Sequence, residues 1–233
     1  MRRAALLLCA LAQPVAAASI AIDVGHYPEK PGVISARGRP EFEFNLDLAR
    51  EIDAALKSRG HTTWLIGADG TMKELWRRQR AARGADLFIS VHHDSVQERY
   101  LSVWMHDGVE RRYSDRFSGF SLFVSRENPD WSKGLRCASM IGAALIKTGF
   151  KPSLYHADPV LGENRPFADR DNGVHYYDHL AVLRHATMPA LLFEAGVVVN
   201  REEETRMSDI KVQKQIAAGV ADGIDGCFRK DKR

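Results

Sequence analysis

Cysteine is scarce in this chain. There are three in 233 residues, and Cys9 falls inside an N-terminal apolar stretch. Cys137 and Cys227 are too few for a disulfide framework. Both fall on expected helices far apart in sequence, so a bridge is open to them in an oxidising compartment, but two buried thiols are the simpler expectation. There is no long basic run, and the formal net charge is only +3, falling further if Arg2 and Arg3 leave with a leader. Nothing therefore points to a nucleic-acid surface. Internal repeats are missing as well, and so is a separate wall-anchoring segment. The apolar stretch "AALLLCALA" falls well short of the roughly 20 apolar residues that span a bilayer.

What is present begins with an address. Arg2 and Arg3 precede that short apolar run, and Ala16, Ala17 and Ala18 supply small residues for cleavage, the pattern of a secretory signal over residues 1–18. Leu8 stands where a lipoprotein would need a small residue before Cys9. A basic tail over 229–233 is expected to fray. With 45% hydrophobic and 27% charged residues, the remaining chain has an ordinary soluble composition and is long enough for one domain with a sizeable core over 19–228.

"SIAIDV" reads as a first strand, 27–40 as a Pro- and Gly-rich loop, and "EFEFNLDLAREIDAALKSRG" as a helix with Phe44, Leu48, Ile52 and Leu56 on one face. Gly60 is a natural stop for it. "HTTWLI" is a second strand. The spacing Thr71 to Glu74 predicts a capping box opening a helix to about Arg83. "ADLFISVHHD" is apolar without alternation, which predicts a strand covered on both faces. Further on, "LSVWMHD" and "SGFSLFVS" read as short strands with a charged turn between, and "SKGLRCASMIGAALIKTG" as a helix. Residues 150–178 read as a long loop, 190–194 as an apolar strand, and 208–226 as one final helix. The alternation predicts an α/β domain: a twisted, mainly parallel sheet flanked by helices on both faces.

Functional groups in such sheets gather at the carboxyl ends of strands. His26 lies just past the first strand, His92 at the end of the third and Glu194 at the end of the later one, while Glu41 opens the first helix. Two imidazoles and a carboxylate (His26, Glu41, His92) suit Zn²⁺ and leave a coordination position free for water. Glu194, carried on a strand, could move a proton, and Gly196 after it would let the chain turn away. Each also has an ordinary reading. A lone histidine is more often a surface or hydrogen-bonded residue, and His61, His106, His156, His175, His179 and His185 are read that way. A glutamate after an apolar strand is often just its first solvated residue. His93 points away from His92 in an extended strand, so only one of the two joins a site easily.

The ordered series "IAIDVGH", "EFEFNL", "ELWRRQRAAR", "ADLFISVHHDS" and "MPALLFEAGVVVN" resembles the zinc-dependent N-acetylmuramoyl-L-alanine amidases of the bacterial cell wall, the AmiC-type catalytic domain, over about residues 20–225. The resemblance implies a twisted sheet flanked by helices, Zn²⁺ as the cofactor, His26, Glu41 and His92 as its ligands, and Glu194 as the catalytic acid and base. It makes Asn45, one turn beyond Glu41, the residue that orients that ligand, gives Arg78 a structural place, and matches Asn200 to the last motif. Val24 stands for the family's proline, Tyr27 for its glycine, Asp94 for an asparagine, Arg83 for a helix asparagine, and Val197, Val198 and Val199 for Phe-x-Ser; no ligand is removed. The activity implied is cleavage of the amide between N-acetylmuramic acid and L-alanine in peptidoglycan, in the periplasm or outside the cell. Peptidoglycan is then the partner, with no nucleic acid, no membrane after processing and any protein activator unknown. A zinc peptidase acting on another amide would share every ligand. A non-catalytic cell-wall-binding protein would have no use for Glu194.

Overall fold

The computed structural model describes residues 16–229. Residues 1–15 of the expected signal, Cys9 included, and 230–233 of the expected tail lie outside the described residues. In chain order the elements are β1 (Ser19–Val24), α1 (Glu41–Ser58), β2 (Thr62–Ile66), α2 (Leu75–Ala81), β3 (Leu87–Asp94), β4 (Ser102–His106), β5 (Val109–Tyr113), β6 (Ser121–Val124), α3 (Trp131–Lys147), β7 (Phe167–Asp169), β8 (Val174–Tyr176), α4 (Ala181–Arg184), β9 (Ala190–Val197), α5 (Arg201–Ser208) and α6 (Ile210–Phe228). Seven strands form one sheet in the order β2-β1-β3-β9-β6-β8-β7. β1, β2, β3 and β9 run parallel, β6 turns antiparallel to β9, β8 follows β6 in parallel, and β7 closes the edge antiparallel.

The unbroken apolar run of β3 follows from burial on both sides. Leu87, Ile89 and Val91 join the core beneath α1, α3 and α6, with Phe44, Leu48, Ile52 and Leu56 of α1. Phe88 faces the other way into a smaller core with Leu192 of β9 and Val182 and Leu183 of α4. Side chains alternate along a strand. His92 therefore continues the Phe88 face and His93 the α1 face, while Glu194 continues the face of Leu192. This places His92 and Glu194 on one side of the sheet, directly opposite each other in register.

Several expectations are corrected. Glu194 is not the end of its strand: β9 runs on to Val197, and Gly196 does not turn the chain, since a Cβ there would meet Met207. The "charged turn" is β5. Val109 to Tyr113 pairs with β4 across a two-residue turn, Asp107-Gly108, both at positive φ (49° and 75°), the geometry that Asp-Gly favours in hairpins. The 150–178 loop contributes β7, β8 and a single helical turn at Tyr155–Ala157. The Thr71–Glu74 capping box does not form. Thr71 is spent on the Asp69 carboxylate, and α2 begins without a side-chain cap. The final helix is two helices, because Asp209 interrupts the chain and caps α6 by accepting from the Lys211 N–H. Asn200 likewise caps α5, accepting from Glu202 and Glu203.

The two thiols are also corrected. Cys137 of α3 and Cys227 of α6 form a disulfide, Cα–Cα 4.9 Å, closing a loop of 90 residues. The helices pack closely enough for this because Gly223 sits against the Ile141 backbone. A bridge over so long a loop restricts the unfolded chain strongly. Cys227→Ser is expected to cost about 2–4 kcal/mol, read as a lower denaturation midpoint with little change in activity. Among the described residues no helix is long and apolar enough to cross a membrane.

Candidate metal centre

β1 delivers the chain to Gly25, whose N–H donates to the Val91 carbonyl of β3 at 3.0 Å. A Cβ at Gly25 would fall 2.3 Å from the His92 ring, so only glycine lets that imidazole lie against the β1 exit. The next residue, His26, holds φ 68°, a conformation uncommon outside glycine and of the kind that persists when surrounding contacts over-determine it. Those contacts come from Arg78. Its guanidinium is buried, lies 2.7 Å from Asp23 Oδ1, and donates to the carbonyls of Val24, His26 and Met72. Asp23 in turn accepts from Ser90 at 2.7 Å. The structural place given to Arg78 by the resemblance thus has a definite content: it fixes the loop that presents His26.

Glu41, the first residue of α1, reaches back to both histidines. Its Oε2 is 3.0 Å from His26 Nε2, and its Oε1 is 3.0 Å from His92 Nδ1. One ligand atom from each residue can be chosen so that all lie within 4.8 Å of one another, and the two rings meet edge to face at 4.9 Å. Glu41 is buried, while the histidines keep partial exposure. Burial would raise the Glu41 carboxyl, but hydrogen bonding to His26 and His92 and their charge outweigh it and hold it well below the usual range. Each imidazole nitrogen approaches a carboxylate oxygen that either a shared proton or a shared cation can satisfy. The donor set, two imidazoles and one carboxylate with partial access to solvent, fits a zinc ion with one position to spare.

Two residues fix the carboxylate from behind. Asn45 Nδ2 donates to Glu41 Oε1 at 3.1 Å and to the Gly25 carbonyl at 3.2 Å. Its Oδ1 faces His93 Nδ1 at 2.8 Å. Asn45 has used its amide hydrogens elsewhere, so His93 carries the proton on Nδ1. Burial, only partly opposed by Glu41, pushes His93 down to about 3, which keeps the ring neutral. The sequence excluded His93 from the site. The structure makes it the support of Asn45, and its backbone N–H also donates to Glu41 Oε1 at 3.3 Å.

Glu194 lies opposite His92 in the sheet. Its Oε2 is buried and has no hydrogen-bond partner, although the residue as a whole is not fully enclosed. Burial first, then the charges of Asp94 and Glu41, lift its carboxyl well above the usual range. A divalent cation held by the neighbouring donors acts in the opposite sense. An orphaned, elevated carboxyl beside a potential metal position is suited to accepting and returning a proton.

Another group was not legible in sequence. Asp94 directs its charge away from the cluster, into His156 Nε2 at 2.7 Å, and Glu163 holds His156 Nδ1 at 2.8 Å. Burial opposes a charge on His156, but the two carboxylates outweigh it and push the imidazole up to about 9. His61 is likewise enclosed, between the Ala18 N–H and Asp225. The polar residues of 150–178 were the available signal for His156, without any spacing to single it out.

The sequence profile of a family described as N-acetylmuramoyl-L-alanine amidase matches residues 20–226. The amidase AmiA of Salmonella typhimurium is 25% identical over 220 residues, covering 90% of this chain and 75% of that protein. AmiC of Neisseria meningitidis is 26% identical over 216 residues, covering 88% of this chain and 51% of that protein. Among solved structures, the catalytic domain of CwlV from Bacillus (Paenibacillus) polymyxa superposes with a TM-score of 0.66 at 26% identity, over 89% of this chain and 96% of that one. Ami1 of Mycobacterium smegmatis superposes with a TM-score of 0.72 over 93% and 99%, at 19% identity, a likeness of fold alone.

Proposed function

This chain belongs to the N-acetylmuramoyl-L-alanine amidase family, and from that premise we propose that it is a zinc-dependent hydrolase of the amide between N-acetylmuramic acid and the L-alanine of peptidoglycan stem peptides. The observation that carries the reading is the convergence of His26, Glu41 and His92 on one point beside a carboxyl, Glu194, that no other group satisfies.

In this reading His26, Glu41 and His92 hold the ion, and Asn45 and His93 fix the carboxylate ligand. Zinc bound there supplies a Lewis acid for the amide carbonyl and the developing oxyanion, and brings the pKa of a water to about 7. Glu194 takes the proton of the attacking water as oxygen adds to the carbonyl carbon. It then gives that proton to the amide nitrogen as the carbon–nitrogen bond breaks, leaving a lactyl carboxylate and the free amine of L-alanine. Its position on a central strand of the sheet keeps the carboxyl from drifting.

We place the protein outside the cytoplasm, released by cleavage of the N-terminal signal. The Cys137–Cys227 bridge supports that, since disulfides persist in oxidising compartments. Cleavage that spares Ala18 keeps a buried residue whose N–H donates to His61 at 3.2 Å.

The test is mass spectrometry of purified peptidoglycan after incubation with the protein, with and without a chelator. Free stem peptides beginning at L-alanine, together with unsubstituted glycan, are expected, and their loss on chelation. Cuts within the peptide, with L-alanine still attached to muramic acid, would refute the assignment.

A further inference from the structure

A cavity of about 340 Å³ opens from the two histidines, which form part of its lining. One wall is apolar, made by Leu75 at the start of α2, Leu180 and Val182 at α4, and Leu192 of β9. Leu192 lies two residues before Glu194 on the same face of its strand, so this wall leads directly to the reacting end. The polar floor is not free to bind anything: Arg78 and Asp23 are committed to each other and, for Arg78, to three backbone carbonyls.

The rim is different. It carries two ammonium groups, Lys30 and Lys73. Lys73 is neutralised by Glu29 at 2.8 Å and lies over the Tyr27 ring at 5.9 Å. Lys30 is exposed and has no ion-pair partner among the described residues. The cavity therefore presents a small apolar wall beside the histidines and one uncompensated positive charge further out. That order matches a peptide whose first side chain is small and apolar and whose second residue carries a free carboxylate. It does not match a neutral sugar, which would need unspent donors and acceptors on the floor.

We propose that this cavity is the subsite for the leaving peptide, and that Lys30 reads the free α-carboxylate of the D-glutamate that follows L-alanine. The inference rests on the amidase reading. It makes the protein selective for stem peptides whose second residue is acidic over those in which that carboxylate is amidated. A charge-assisted contact at a partly desolvated rim is worth about five- to tenfold.

Two measurements separate this inference from the reading beneath it. Initial rates on muramyl peptides with D-glutamate or D-isoglutamine at the second position should favour the acidic substrate in kcat/KM by about five- to tenfold. Lys30→Ala should erase the preference through KM on the acidic substrate alone, with the amidated substrate and kcat unchanged. Calorimetric titration of the metal-free protein with the tripeptide L-Ala-γ-D-Glu-L-Lys and its isoglutamine form should show the same preference and its loss in Lys30→Ala. Hydrolysis without discrimination, or a Lys30→Ala variant that keeps the preference, overturns the subsite and leaves the activity standing. Discrimination in binding with no hydrolysis of either substrate overturns the activity and leaves the subsite standing.

Discussion

Glu194→Gln is expected to lower kcat on a muramyl peptide by about 10²- to 10⁴-fold, the range that a positioned general base and acid contributes, while metal content and fold persist. Glutamine keeps the volume of the side chain but cannot take a proton. The position tolerates it because Oε2 already lacks a partner and the residue retains partial exposure. The substitution also removes a group that burial and the charges of Asp94 and Glu41 hold far above the usual carboxyl range, so stability should not suffer from losing a carboxylate. Steady-state rates beside a thermal melt check both halves. Normal turnover in Glu194→Gln would show that proton transfer belongs to another group.

His92→Ala is expected to abolish hydrolysis by a different route, through loss of the ion. Groups that merely support metal ligands cost about 10- to 100-fold in affinity when removed, so deleting a ligand should exceed that. The ring lies against Gly25 near the carboxyl end of β3 with partial exposure, and its removal leaves the apolar core untouched. Glu41 keeps His26, Asn45 and the Val33 N–H, so its carboxylate is not left without partners. A folded protein without activity, unresponsive to a chelator, is the expected phenotype. The two variants thus differ where it matters: one keeps the ion and loses the proton carrier, the other the reverse.

How far the fold could be read depended on how each element is buried. The apolar runs of β3 and β9 are legible because strands covered on both faces must be continuous in hydrophobicity, and α1 is legible through its Phe44 to Leu56 stripe. β5 is not, since "VERRY" lies on an exposed hairpin and selection for a core leaves no pattern there; the Asp107-Gly108 dipeptide was its only sign. β7 and β8 have three residues each, too few to establish a period. The break at Asp209 was hidden because Ile210 to Phe228 continues an amphipathic pattern into which a helix-capping residue inserts.

The centre itself divides in the same way. His26, Glu41 and His92 stand at element ends, where spacing along the chain carries information. Their supports do not. Asn45 follows from helical spacing, but its second partner, His93, was set aside by strand alternation, which is correct about direction and silent about what waits on the other face. His156 meets Asp94 across 62 residues and the cysteines pair across 90. Contacts of that separation leave no local trace.

The most direct measurement is the zinc stoichiometry of the purified protein and its two variants, by elemental analysis after removal of loosely held metal. The account predicts about one ion per chain in the wild type and in Glu194→Gln and close to none in His92→Ala. An ion retained by His92→Ala, or a wild-type protein that hydrolyses peptidoglycan while holding no metal, would contradict it.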